Sequence, residues 1–375
     1  MIVCNALNRS FHFLSILAPM LLFSCSPGSS SGTPGSGGTS NLQSVSQLSS
    51  GEDSSCAVLS NGTVWCWGSN TDGQLGNGTT TNSGPAVQVT GTTNAASVSV
   101  GPAHACALLS DHTIRCWGNN PSGELGNGTM TNSSTPVSVS GISNATAVIA
   151  GFQASCALIS GGTVECWGYN SHGELGNGTT TNSLTPVLVT GISSATAISG
   201  SNTHVCALIS GGTIQCWGGN SSGQLGNGST LDSSTPVSVN GISTASSLSA
   251  GDGSTMASST PFAVSGITSA TEISTFGFHT CALISGGTLQ CWGTDMEGEL
   301  GNDTSGSTLT ETSPVAASVV TSSVISVSVG GDNFTCALVS GGTVSCWGVN
   351  SNDVLGGPSM TSVTQSLTPL TVTHS

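Results

Sequence analysis

The feature that most constrains this chain is a repeat with a period of 50 residues. Four segments align without a gap: SCAVLSNGTVWCWGSNTDGQLGNGT from Ser55, ACALLSDHTIRCWGNNPSGELGNGT from Ala105, SCALISGGTVECWGYNSHGELGNGT from Ser155 and VCALISGGTIQCWGGNSSGQLGNGS from Val205. Two further copies begin at Thr280 and Thr335 with irregular spacing. Each unit of such an array buries its apolar faces against its neighbours, so the 375 residues need not divide into two average domains.

Within a unit, runs such as CALIS and TVECWG are short, β-branched and apolar, and Gly-Gly or Asn-Gly separates them, as in a tight hairpin. A Pro-led strand then closes the unit, as in Thr135-Pro136-Val137-Ser138-Val139. Four short strands per period of about 50 residues is the pattern of a propeller blade. Both faces of a blade pack on other blades, which accounts for strands that are apolar in succession rather than alternating. The expected fold class is therefore all-β, a β-propeller.

Closing strands begin at Pro85, Pro136, Pro186, Pro236, Pro261, Pro314 and Pro369, giving seven, whereas the Cys-containing hairpin occurs six times. Pro236 and Pro261 stand 25 residues apart, half a period. The seventh unit, at about residues 246–266, thus reads as a first strand fused to a last strand without its central hairpin. Three arrangements would accommodate it: a thin blade in a seven-fold ring, an insert beside six full blades, or an open ring with exposed strand edges. The survival of seven closing strands favours the thin blade.

The segment G-x-x-H-x-C-A-L, followed by C-W-G-x-N-x-x-G-[EQ]-L-G-N-G, resembles the regulator-of-chromosome-condensation repeat over about residues 42–375. The resemblance implies a seven-bladed propeller and says far less about activity. The family's name-giving eukaryotic member is a guanine-nucleotide exchange factor that binds chromatin, and a secreted bacterial inhibitor of β-lactamase also belongs to it. Both activities are what the resemblance implies, and no contact residue of either carries over to this chain.

Twelve of the 14 cysteines form C-x9-C pairs: Cys56 with Cys66, Cys106 with Cys116, Cys156 with Cys166, Cys206 with Cys216, Cys281 with Cys291 and Cys336 with Cys346. With a three-residue hairpin loop the two members of a pair stand directly opposite each other, within disulfide range. Six hairpin disulfides are the natural reading, although reduced core thiols or metal ligands are the alternative. The spacing lacks the close C-x2-C pairs of zinc sites. Disulfides would suit an oxidising compartment.

The two remaining cysteines, Cys4 and Cys25, lie at the N-terminus, where Arg9 precedes a 13-residue apolar run, FHFLSILAPMLLF. This is a signal-peptide layout over residues 1–24 and is too short to span a bilayer comfortably. Leu22-Phe23-Ser24-Cys25 resembles the lipobox of bacterial lipoproteins, which would make Cys25 the acylated mature N-terminus. An ordinary secretory signal is the alternative, and export is expected either way. Residues 25–41 read as a Gly/Ser/Pro-rich tether with a reach of about 20 Å, followed by the propeller at 42–375.

Composition removes several partners. After the signal, one arginine (Arg115) stands against 17 carboxylates, so there is nothing to displace counterions from nucleic-acid phosphates or to dock on anionic lipid. Membrane association would run through the lipid anchor alone.

Repeat positions discriminate among the candidate site residues. His104, His204 and His279 share one position, which Ser54, Ala154 and Phe334 fill elsewhere, so a hydrogen-bonded structural role outranks a metal ring. Glu124, Glu174 and Glu299 interchange with Gln74 and Gln224, which favours a turn-capping role, since Gln cannot replace a catalytic carboxylate. Asn70-Thr71-Asp72-Gly73 lacks the alternating ligands of a calcium loop and reads as a turn. Trp67, Trp117, Trp167, Trp217, Trp292 and Trp347 follow the second Cys of every hairpin and read as packing residues. Trp65 is the extra one, at a position that is polar in the other units, and is a candidate anchor for a partner.

No nucleophile elbow, phosphate loop or paired catalytic carboxylates rise above the repeat. The expectation is an exported, surface-tethered, monomeric binding or scaffold protein without cofactor or metal, presenting propeller-face loops to a protein or glycan. Exchange-factor activity and a polysaccharide-acting enzyme are the alternatives.

Overall fold

The computed structural model describes residues 40–251, 260–261, 263–267, 269–305, 310–320, 323–331, 333–357 and 364–374. Cys25, the signal segment, the tether up to residue 39 and residues 252–259 of the truncated unit lie outside the described residues.

Six units form four-stranded antiparallel sheets whose spatial order follows the chain. Blade 1 uses Val45–Ser50, Ser54–Leu59, Val64–Gly68 and Ser83–Gln88. Blade 2 repeats this with Ala95–Val100, His104–Leu109, Ile114–Gly118 and Ser133–Ser138. Blades 3 and 4 follow at the same period, and blades 6 and 7 begin at Ala270–Phe276 and Val324–Gly330. Unit 5, the truncated one, contributes a single bridge residue, Ala250, among its described residues.

The hairpins form as their glycines dictate. Gly161 and Gly162 take φ of +100° and +89°, and the turn closes through the Gly162 N–H on the Ile159 carbonyl at 2.9 Å. The register then sets Cys156 opposite Cys166, with Cα atoms 4.0 Å apart, and the two are disulfide-bonded. The other five hairpins repeat the pairing: Cys56 is bonded to Cys66, Cys106 to Cys116 and Cys206 to Cys216. In blades 6 and 7, Cys281 is bonded to Cys291 and Cys336 to Cys346. The alternative of reduced thiols or metal ligands is thereby set aside for all twelve cysteines.

The apolar core lies between blades. Cys56, Val58, Val64, Leu75 and Val89 of blade 1 pack on Val98, Val100, Ala105, Ala107, Leu109 and Trp117 of blade 2. Each fully buried tryptophan also donates its indole N–H to a turn carbonyl of the preceding blade: Trp117 to Gln74 at 2.8 Å, Trp167 to Glu124 at 2.7 Å and Trp217 to Glu174 at 2.9 Å. Trp67 reaches the Val354 carbonyl of blade 7 at 2.8 Å, joining the last blade to the first. Burial of each indole is worth roughly 1.5–3 kcal/mol, and the bond prevents its N–H from being stranded.

First strands line the axis and are linked by serine side chains. The Oγ atoms of Ser49, Ser99, Ser199, Ser249, Ser274 and Ser328 accept the backbone N–H of Val100, Ala150, Ala250, Thr275, Val329 and Ser50, at 2.8–3.3 Å. The rung missing from this ladder falls at Ile149. Ser249 and Ala250 belong to unit 5, so its inner segment keeps a place between blades 4 and 6. Seven inner segments therefore close one ring. Glycine is required beside them, because a Cβ on Gly51 would land on the Gly101 carbonyl oxygen and one on Gly101 on that of Gly151.

The outer edge of blade 1 is covered by both ends of the described chain. Ser40–Asn41 pairs antiparallel with Thr373–His374, and His374 pairs in parallel with Ala86. This turns an exposed sheet edge into a six-stranded sheet. Among the described residues no helix is long and apolar enough to cross a membrane.

Candidate interaction surfaces

Strand direction sorts the loops onto two ends of the ring. One end carries the short hairpins, such as 60–63, and the crossovers between units. The other carries the long loops 69–82, 119–132, 169–182 and 219–232, together with the short loops nearest the axis.

Each long loop is held by one buried asparagine. Asn70 accepts the Leu75 N–H through Oδ1 at 2.9 Å and donates through Nδ2 to the carbonyls of Thr79 and Thr81 at 3.1 and 3.0 Å. Asn120, Asn170 and Asn220 make the equivalent bonds. A side chain that replaces several loop–loop backbone bonds makes the loop rigid, so the residues at its tip are displayed in fixed positions.

The acidic or amide residue of the turn supports the same frame. Gln74 Oε1 accepts the Asp72 N–H at 2.9 Å, Glu124 Oε2 accepts the Ser122 N–H at 2.9 Å and Glu299 Oε2 accepts the Glu297 N–H at 2.8 Å. Carboxylate and amide thus perform one structural task. Burial pushes the carboxyls of Glu124 and Glu174 upward. Burial, with a smaller contribution from the charge of Asp295, raises Glu299 to about 7.

Two of the three histidines, His104 and His279, are inter-blade latches, while His204 Nδ1 lies 2.9 Å from Ser201 Oγ of its own blade. His104 Nε2 lies 2.8 Å from Ser155 Oγ of the next blade, and that hydroxyl donates to the Glu124 carbonyl at 3.0 Å. The hydroxyl proton is committed to the carbonyl, so His104 donates from Nε2. His279, Thr335 and the Glu299 carbonyl repeat the chain at 2.8 and 2.9 Å. Burial depresses His104 to about 4, and His204 and His279 to about 3.

The rim of the long-loop end is stitched as well. Asp72 accepts from Asn119 and Asn132 of blade 2 at 2.9 and 3.3 Å, and His172 lies 2.8 Å from Asp232 of blade 4. The bond to Asp232 raises the His172 pKa.

What this end displays is apolar and acidic. Met130 and Leu231 are 60% and 77% exposed at long-loop tips, and Phe152, Phe278 and Met296 are exposed around them. Leu188 and Ile325 are the large exposed apolar residues at the opposite end. Among the described residues Asp72, Asp232, Glu297, Asp303 and Asp353 stand on the long-loop end with no lysine or arginine. Arg115 lies near the other end, 3.4 Å from the Gly91 carbonyl.

Trp65 is not on the long-loop end. It stands at the short-hairpin end of blade 1, half-buried, with its ring centroid 5.2 Å from that of His374 and its Nε1 3.3 Å from Thr63 Oγ1. With Leu42, Leu59, Asn41 and Gln43 it lines a pocket of about 280 Å³. The sequence marks Trp65 as unusual, but the strand that brings His374 beside it comes from the far end of the chain.

Profiles described as the regulator of chromosome condensation (RCC1) repeat match residues 61–108, 111–158, 162–208 and 212–258, and, in a second form, 45–74, 95–124 and 324–353. The chain belongs to the regulator-of-chromosome-condensation repeat family. No curated protein matches it by sequence. Solved structures share the fold of this regulator-of-chromosome-condensation propeller. Human WBSCR16 superimposes with a TM-score of 0.53 at 19% identity, covering 88% of this chain and 82% of its own. Prp20p of Saccharomyces cerevisiae, described with binding properties to Gsp1p and histones, gives 0.53 at 20% identity over 87% and 76%. The CRINKLY WD40 ectodomain of the Arabidopsis thaliana receptor kinase ACR4 gives 0.50 at 19% identity over 83% and 96%.

Proposed function

We propose that this propeller is an exported, surface-tethered, non-catalytic binding or scaffold protein that holds another macromolecule on its long-loop end. The observation that carries the reading is the exposure of Met130 and Leu231 at the tips of rigid, asparagine-held loops, with exposed Phe152, Phe278 and Met296 around them. Large apolar side chains held rigidly in water are what an interface core uses. The acidic surroundings favour a neutral or basic partner, by charge complementarity. Six disulfides suit an oxidising compartment, and the apolar run of residues 11–23, followed by Ser24 and Cys25, supplies the export address and the site of acylation.

The test is capture from native envelope and culture extracts on the immobilised, oxidised chain, compared across two variants. Met130→Ser with Phe152→Ser and Leu231→Ser alters the long-loop end, and Leu188→Ser with Ile325→Ser the opposite end. A macromolecule retained by the second variant and lost by the first supports the proposal. One lost by the second alone, or by neither, defeats it.

A further inference from the structure

The place of Trp65 is polar in every other hairpin, where Arg115, Glu165, Gln215, Gln290 and Ser345 stand. Those five strands pair in the same register, so the hairpin folds without an aromatic ring at this place. In blade 1 the indole is held in one orientation. Its N–H donates to Thr63 Oγ1 at 3.3 Å, and that hydroxyl donates in turn to Asn61 Oδ1 at 2.7 Å. The His374 ring stands 5.2 Å away with its plane tilted by 57°, and its Nε2 lies 2.9 Å from Ser40 Oγ. The two rings form a fixed aromatic corner, built where the first and last described strands meet.

The corner opens into the pocket of about 280 Å³ described above. Leu42 and Leu59 add apolar lining, while Ser40, Asn41 and Gln43 are exposed and carry the pocket out to solvent. Among the described residues the side-chain amides of Asn41 and Gln43 make no hydrogen bond, so each keeps both donors and an acceptor to offer. No carboxylate, lysine or arginine stands among the lining residues. The volume lies just under the roughly 300–1,000 Å³ of pockets for larger ligands, which suits a single ring.

We infer that this pocket binds one neutral hexopyranose ring of a glycan. A pyranose presents C–H groups on its face and hydroxyls around its edge. The C–H face lies on the electron-rich face of the Trp65 indole, and the hydroxyls, which both donate and accept, pair with the amides of Asn41 and Gln43. An aromatic side chain of a peptide would use the rings and leave both amides idle. An anionic sugar would meet no lysine or arginine. The pocket is at the short-hairpin end, away from Met130 and Leu231, so this reading and the long-loop reading stand or fall independently.

The probes are the methyl glycosides of glucose, galactose, mannose and N-acetylglucosamine, titrated into the folded, oxidised chain with magnetisation transfer to the sugar C–H protons as readout. Saturable binding of at least one is expected, with a dissociation constant of about 1 mM. Trp65→Gln, which installs the residue of Gln215 and Gln290, is expected to keep the fold and weaken binding about tenfold, as is Asn41→Ala with Gln43→Ala. Absence of saturation by every sugar at about 10 mM overturns the inference, as does undiminished binding in either folded variant. Phenol binding more tightly than every sugar makes the pocket a seat for an aromatic side chain and overturns it too. Should Trp65→Gln fail to fold, the paired substitution of the exposed Asn41 and Gln43 decides alone.

Discussion

The side-chain oxygen of Ser328 accepts a 2.8 Å hydrogen bond from the backbone N–H of Ser50, across 278 residues of chain. This bond joins the last inner strand to the first. Ser328→Ala leaves that buried N–H without an acceptor, and a loss of about 1 kcal/mol is expected. Ser99→Ala, at a junction inside the array, tests whether closure is special. Similar losses in thermal midpoint would make the ring uniform, and a larger loss for Ser328 would mark closure as its weakest joint.

The tryptophans are expected to differ in a way that their identical sequence context hides. The Glu124 carbonyl takes bonds from both Trp167 and Ser155, whereas the Glu174 carbonyl takes one from Trp217, with Val205 at the serine position. Trp217→Phe therefore strands a buried acceptor and costs about 1–3 kcal/mol more than the packing change alone. Trp167→Phe is the milder change. Denaturant midpoints of the two single variants measure the difference.

Glu299 sets a pH dependence of known sign. Its folded pKa of about 7 lies above the ordinary 4.5, so its contribution to stability is full below pH 4.5 and is lost as pH rises towards 7. Glu299→Gln, which installs the residue found at Gln74, is expected to raise stability on the order of 2 kcal/mol at pH 8 and to change little at pH 4. Asp295→Asn is expected to lower the Glu299 pKa by removing a neighbouring charge. Melting curves from pH 4 to pH 8 test both.

The latching histidines act in the opposite direction. With folded pKa values of about 4 for His104 and about 3 for His279 against 6.5, they support the fold fully above pH 6.5, and that support is lost as pH falls towards 3. His104→Gln and His279→Gln are each expected to flatten the decline in melting temperature between pH 6.5 and pH 4. An unchanged slope in both variants would remove the histidines from the acid response.

Loss of one disulfide, through Cys156→Ala together with Cys166→Ala, is expected to cost about 2–3 kcal/mol while leaving the chain folded. The closed loop is short, and the hairpin is also clamped by blades on both sides. Far-ultraviolet circular dichroism and a thermal midpoint suffice to check it.

Much of this architecture is legible in the sequence because the repeat averages out local ambiguity. The six cysteine pairs, from Cys56 with Cys66 to Cys336 with Cys346, follow from one spacing read six times, and so do the hairpins and the buried tryptophans. The thin blade is legible as a half period between Pro236 and Pro261, but its place in the ring is not, because Ser249 and Ala250 prove their position through bonds to other units. The histidine latch leaves a signal that spacing within one repeat does not show. His104 goes with Ser155 in the next copy and His279 with Thr335, while Ala154 goes with Val205. Trp65 stands out as exceptional in the repeat, yet its neighbour His374 is 309 positions away in the chain and belongs to no repeat. The exposed loop tips carry no periodic constraint, so their apolar character emerges only once the strands assign them to one end.

The serine ladder has a consequence for how such a molecule can change over generations. Every rung acts between one unit and the next, so an alteration in any unit is felt at two junctions and nowhere else. A lineage can therefore shed half a blade in one event and keep a closed ring, provided that the inner strand survives. Unit 5 has the form such an event would leave, and the same locality would let individual blades be exchanged as cassettes.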